Sequence, residues 1–107
     1  MPERNEKIAN HIKELAAQFL SRENNRTSLI TVTSCTASPD LKRATIFITV
    51  FPADKEDNVI NFIKRNLGEL REFVKKNMST KIIPFLDVEI DKGEKNRQKI
   101  DELLRNS

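Results

Sequence analysis

The sequence predicts an α+β domain in which helices cover one face of a three-stranded sheet, and its periodicities carry that prediction. Arg43 to Phe51 alternates between two side-chain sets, residues 55 to 77 hold a long amphipathic helical pattern, and Phe85 to Ile90 alternates again. A strand, a helical crossover and a second strand over residues 43 to 90 place the crossover on one side of the sheet.

Each element follows from local chemistry. Pro2 and Glu3 suit a helix start, and Ile8, Ile12, Leu15 and Phe19 recur on one face of a first helix ending near Arg22. Asn24 to Ser28 lacks an apolar period and reads as a loop. Leu29 to Ala37 is rich in Leu, Ile, Val and Thr and reads as a strand, closed by a turn at Ser38-Pro39-Asp40. In the second strand Ala44, Ile46, Ile48 and Val50 oppose Thr45, Phe47, Thr49 and Phe51, a pattern apolar on both faces. The two strands form a hairpin. Pro52 ends the second, and Asp54 is the expected cap of the next helix, with Glu56 and Asp57 in its first turn. Met78-Ser79-Thr80 stops that helix near Asn77, and Pro84 holds Ile83 extended ahead of the third strand. Ile100, Leu103 and Leu104 offer a thin stripe for a short last helix.

With 107 residues, the chain is expected to be one domain over residues 1 to 107, too small to enclose a sizeable active site. Cys35 is the single cysteine, and no Cys or His cluster has ligand spacing, so neither a metal nor a cofactor is expected. Cys35 reads as a packing residue and His11 as a surface one; no nucleophile with a paired base appears. No apolar run is long enough for a membrane span or a secretory signal, so a cytoplasmic, monomeric protein is expected. All six phenylalanines (Phe19, Phe47, Phe51, Phe62, Phe73 and Phe85) lie among apolar neighbours and read first as core, with Phe62 and Phe73 on the edge of the helical stripe.

Charge is distributed unevenly. The net charge is only +3, yet residues 58 to 83 hold six cations against two anions, and the segment after Pro84 holds six anions against five cations. On a helical wheel Ile60, Ile63, Leu67, Leu70 and Val74 make one stripe, and Lys64, Gly68, Arg71 and Lys75 make another beside it. The three cations have no carboxylate on their own stripe. Arg65 can pair with Glu69, and Lys76 with Glu72. Gly68 costs helix stability, which suggests a bend or a place where a ligand approaches bare backbone; the alternative is an incidental glycine on a solvated helix face.

The order of elements, with these residues, resembles the ribosome-binding factor A family over nearly the whole chain. The resemblance rests on Thr31-Val32-Thr33, Ser38-x-Asp40-Leu41, the strand beginning at Ala44, Gly68, Ile83-Pro84-x-Leu86, Asp91, and the spacing to Ile100, Leu103 and Leu104. It implies a KH-like domain of type II, with an Ala-x-Gly kink where other KH domains carry a Gly-x-x-Gly loop. Here the kink reads Asn66-Leu67-Gly68, so the glycine matches and the alanine does not. The family's Asp-Pro-Arg before the first strand is also missing, with Asn24-Asn25-Arg26 roughly in its place.

The resemblance further implies a non-catalytic factor, without small-molecule substrate, that binds immature 30S subunits through 16S rRNA and assists late maturation and 5′-end processing. Lys64, Arg71 and Lys75 are the leading RNA-contact candidates, with Arg65, Lys76 and Lys81 as further phosphate contacts and Asn66 and Gly68 at the kink. The rival reading is a protein-interaction module whose basic helix docks an acidic partner.

Overall fold

The computed structural model describes residues 4–22, 28–79 and 83–93. Helix α1 (Arg4–Ser21) leads into strands β1 (Leu29–Ala37) and β2 (Arg43–Phe51). A short 3-10 turn (Ala53–Lys55) is followed by α2 (Glu56–Arg65), α3 (Leu67–Asn77) and β3 (Phe85–Ile90). The expected α+β architecture is therefore present, in the KH-like order of hairpin, broken helical crossover and third strand. The expected helix at Ile100, Leu103 and Leu104 lies outside the described residues.

The sheet has the order β1-β2-β3, with β1 antiparallel and β3 parallel to the central strand. A parallel neighbour cannot be reached by a tight turn, so the chain between β2 and β3 must cross the sheet, and α2 and α3 are that crossing. Ala44, Ile46, Ile48 and Val50 of β2 and Leu86 and Val88 of β3 are all buried beneath the helices. From above, α1 contributes Ile12, Ala16 and Leu20, α2 contributes Val59 and Ile63, and α3 contributes Leu70 and Val74. No polar or charged residue is buried among the described residues, so the core is held by apolar burial alone.

Two polar devices fix the sheet's ends. At the hairpin, the Ser38 hydroxyl donates to Asp40 Oδ1 at 2.6 Å, the same oxygen accepts the Lys42 amide at 3.1 Å, and the Ser38 hydroxyl accepts the Arg43 amide at 3.1 Å. The hydroxyl and amides hold the Asp40 carboxyl below its ordinary range. Leu41 then takes φ 60° and packs against the core, an uncommon conformation for a non-glycine residue that the Ser38–Asp40 lock maintains. At the other end, β1 carries a bulge between Val32 and Ser34, which frees Thr33 from the ladder. The Thr33 hydroxyl is shared between the Phe47 carbonyl and the Asp91 carboxylate, while the Asp91 amide donates to the Ile48 carbonyl at 2.7 Å. One residue from each end of the sheet sequence thus clasps across the central strand.

Three expectations need correction. Asp54 does not cap α2: the 3-10 turn intervenes, its Lys55 amide bonds the Pro52 carbonyl at 3.0 Å, and neither helical start has a side-chain cap. Phe51 and Phe85, read as core residues, lie outside the core. All helices lie on one side, so Thr45, Phe47 and Thr49 are half-buried and Phe51 is 74 % exposed, as is Phe85 on β3. The helix breaks at Asn66 rather than at Gly68, which is already inside α3.

Replacing Ile46 by Ala, at the fully buried centre of β2, is expected to cost about 2–5 kcal/mol. Urea unfolding monitored by circular dichroism should show the midpoint falling with the slope unchanged.

Candidate nucleic-acid interface

Asn66 builds the break between α2 and α3. Its backbone (φ −111°, ψ 15°) leaves the helical region, its amide bonds the Ile63 carbonyl at 2.9 Å, and its side-chain nitrogen donates to the Phe62 carbonyl at 2.7 Å. Those bonds satisfy the end of α2. The Asn66 carbonyl then accepts the Leu70 amide at 3.0 Å and opens α3. The side-chain amide that replaces the family's alanine is thus a structural cap whose donor faces its own backbone.

Gly68 has a different role from bending. It lies in the first turn of α3 with no positive φ, and a Cβ placed there would meet no heavy atom within 4 Å. Crowding is therefore absent, and Val at this position would suffer only its modest helix propensity. What glycine does leave is access. The start of α3 has no side-chain cap, and the first amides of a helix have no carbonyl partner within it. A bare, exposed glycine in that turn leaves these donors open to an anion.

The four-membered stripe of Lys64, Gly68, Arg71 and Lys75 is not one surface. Because the helix breaks at Asn66, Lys64 lies beside the end of β3, in an open cleft with Asp57, Ile60, Glu89, Ile90 and Lys92. Arg71 instead reaches the segment entering β3, where its Nη2 donates to the Ile83 carbonyl at 3.2 Å and its guanidinium carbon lies 5.7 Å from the Phe85 ring centre. The two ends of β3 are roughly 17 Å apart at about 3.3 Å per residue.

Arg71 is half-buried rather than solvated, and its Nε is buried without a hydrogen-bond partner among the described residues. It serves first as a strut between α3 and β3. Lys64, Arg65, Lys75 and Lys76 are exposed. Each also sits in the last turn of its helix, where the macrodipole favours a cation by about 0.3–1 kcal/mol. Arg65, next to the break, is the cation best placed to join the open amides of α3. Lys81 lies outside the described residues.

Sequence reasoning missed the exposed Phe51 and Phe85. Their alternation with buried Val50 and Leu86 already places them on the opposite face of the sheet, and reading every phenylalanine as core concealed it. Phe62 and Phe73 are half-buried as expected, Phe73 packing on Phe19 with ring centres 5.7 Å apart and on the Arg22 guanidinium at 5.4 Å. Cys35 is half-buried, and desolvation pushes its thiol up to about 11, away from nucleophile behaviour. Among the described residues no group of three or more His, Cys, Asp or Glu could hold a metal ion, and no helix is long and apolar enough to cross a membrane.

Arg71→Ala should lower stability by about 1–3 kcal/mol, through the unpaired Ile83 carbonyl and the lost cover of Phe85. Lys75→Ala should stay within about 0.5 kcal/mol; urea titrations of the two variants check the contrast. Gly68→Ala should be neutral to stabilising, by up to about 1 kcal/mol, in the same assay.

Comparisons with known proteins agree with this architecture. The family model described as "Ribosome-binding factor A" matches residues 4–104. The chain is 33 % identical to the ribosome-binding factor A of Leifsonia xyli, over 97 % of this chain and 75 % of that protein. It is 36 % identical to that of Clavibacter michiganensis, over 92 % of this chain but only 61 % of the longer relative. Among solved structures, the crystal structure of ribosome-binding factor A from Thermus thermophilus superposes with a TM-score of 0.69 at 17 % identity, covering 80 % of this chain and 94 % of that one. A homology model of the Thermus thermophilus factor, fitted into a cryo-EM map of a 30S–RbfA complex, gives 0.67 at 16 % identity over 76 % and 88 % of the two chains. At such low identity the structures speak for the fold. The match along residues 4–104, together with the identity to the Leifsonia protein, places this chain in the ribosome-binding factor A family.

Proposed function

We propose that this protein is a non-catalytic maturation factor that binds immature 30S subunits through 16S rRNA, with the break between α2 and α3 as its backbone-contacting site. The observation that carries the reading is the start of α3, where uncapped amides and an exposed glycine adjoin the exposed Arg65. Amides pointed at a phosphate, with a cation beside them and no side chain in the way, form a site for a nucleic-acid backbone. The fitted 30S complex of the Thermus protein supports the small subunit as the partner.

Within this reading Arg65 and Gly68 contact the chain of phosphates directly, and Lys75, Lys76 and Lys81 extend the positive field along α3 and beyond it. Lys64 contributes from the far end, across the cleft beside β3. Arg71 holds Phe85 and the entry to β3. The factor acts by binding one rRNA arrangement better than another, which shifts the subunit population toward it late in maturation, near the 5′ end of the rRNA and the neck. It acts as a monomer in the cytoplasm and leaves when its preferred arrangement is gone.

Purified protein should co-sediment with immature small subunits in preference to mature ones on sucrose gradients. Neutralising three to five phosphates on single-stranded segments predicts a log–log salt slope of roughly −2 to −3.5. Arg65→Ala should weaken binding and flatten that slope, and Gly68→Val should weaken it with helix content intact. Capture of a protein that survives RNase treatment would instead identify an acidic protein partner on the basic helices.

A further inference from the structure

The sheet's uncovered face is the largest feature that the RNA reading leaves unused. Its outward residues are Leu29, Thr31, Ser34 and Thr36 on β1, Thr45, Phe47, Thr49 and Phe51 on β2, and Phe85, Asp87 and Glu89 on β3, by alternation with the buried set. Leu29 and Phe51 are register partners and are 51 % and 74 % exposed. They make one contiguous apolar patch at the end of the hairpin, continued along β2 by Thr49 and half-buried Phe47. Water-exposed apolar side chains grouped in this way mark a surface that a partner covers.

The charges lie farther along the face, beside Phe47 rather than Phe51, because β3 ends at Ile90 opposite Ile48. Thr45 pairs with Asp87 and Phe47 with Glu89 in the parallel register, so the two acids run as a row about 4.8 Å from the row of β2. Both acids are exposed. The Asp87 carboxylate accepts only its neighbour's amide, from Val88 at 2.8 Å, and Glu89 has no ion-pair partner among the described residues. Arg43 is the one cation among the described strand residues of this face, at the corner opposite Phe85, and Lys64 and Lys92 line the cleft at the edge of β3 that also holds Phe47, Glu89, Asp57 and Asp91.

Aromatic side chains on a sheet also suit stacked bases. Here, however, the phosphates of a strand laid along β2 would run against Asp87 and Glu89, with no Lys or Arg between Thr45 and Phe51 to receive them. We propose that the open face of the sheet is a docking surface for a basic protein segment, whose apolar side chains cover Leu29, Phe47 and Phe51 while its lysines or arginines meet Asp87 and Glu89. The chain then has two surfaces of opposite preference, a cationic one at the helix break and an apolar, acidic one on the opposite side of the sheet.

The test uses the full chain and two labelled probes, a synthetic peptide of alternating leucine and lysine and an oligouridylate, titrated by fluorescence anisotropy. Phe51→Ser and Glu89→Lys should each weaken peptide binding at least fivefold, and Phe51→Ser should leave oligouridylate binding unchanged. Both positions are exposed, so thermal melts should match the parent. Peptide affinity unchanged in either variant would overturn the proposal. So would oligouridylate binding that falls with Phe51→Ser, which assigns the face to RNA. A benzophenone side chain at Thr49, photolysed in the presence of purified small subunits, gives the second arm. A protease-sensitive adduct to a basic protein supports the proposal, whereas an RNase-sensitive adduct or a crosslinked pair of this chain overturns it. Failure to co-sediment with small subunits would count against the RNA-binding function alone, because the peptide titration needs no ribosome.

Discussion

The parallel pairing of β2 with β3 is the constraint on which the rest of the molecule depends. Arg43 aligns with Phe85 and Ile48 with Ile90, so the chain must return from the end of β2 to its beginning before β3 can start. That return needs a crossover over one face, since a tight turn joins only antiparallel neighbours, and here α2 and α3 supply it. Everything else follows from where the crossing runs. The face it covers becomes the core, with Ile46, Ile48, Leu70 and Val74 fully buried; the face it does not cover stays open; and the break at Asn66, needed to bring the chain back, creates the one new helix start within the crossing.

How much of this was legible in the sequence depended on whether the signal was local. The strands, the hairpin turn and the outer limits of the crossover were legible because side-chain alternation, Pro52 and Pro84 act within a few residues. The Ser38–Asp40 lock and Leu41 were visible as a motif, although the positive φ of Leu41 was not. The position of the break was misplaced by two residues because glycine is the usual suspect for a bend, whereas the structure bends at an asparagine whose side chain can terminate a helix. The bond between Thr33 and Asp91 spans 58 residues, and no periodicity reveals a partner that distant.

The candidate site was less legible than the fold, for a physical reason. A helical wheel assumes one unbroken axis, and the break at Asn66 invalidates it for Lys64 relative to Arg71 and Lys75. A wheel also treats every cation off the apolar stripe as solvated. Arg71 has a side chain long enough to cross to β3, and it directs its charge at a backbone carbonyl and an aromatic ring. Lys64, Arg65, Lys75 and Lys76 are exposed as expected, but their placement at helix C-termini gives each a local reason to be there. Positive charge alone therefore discriminates poorly between RNA binding and helix stability. The start of α3 has no side-chain cap, a feature it shares with the 3-10 turn and α2, and what sets it apart is the exposed Gly68 in its first turn beside Arg65.

A two-layer domain of this size presents both its helices and the back of its sheet to the surroundings, so each surface must be either solvated or used. The helical side meets that demand with lysines and arginines. The back of the sheet does so in part with Thr31, Thr36, Thr45 and Thr49, which are compatible with both water and strand geometry. Leu29 and Phe51 break that pattern together, at paired positions on adjacent strands, where isolated polar substitutions would have kept the hairpin equally well formed. Phe85 does not raise the same question, because Arg71 already stands over its ring. The asymmetry between the two exposed phenylalanines is informative: one has an intramolecular partner that explains it, and the other has only a neighbouring leucine and a row of carboxylates about one strand spacing away from Phe47. The carboxylates beside Thr45 and Phe47 disfavour the phosphate backbone that is proposed to bind at the helix break. Lys64 lines the same cleft as Phe47 and Glu89, so the two proposed surfaces meet at that end of β3.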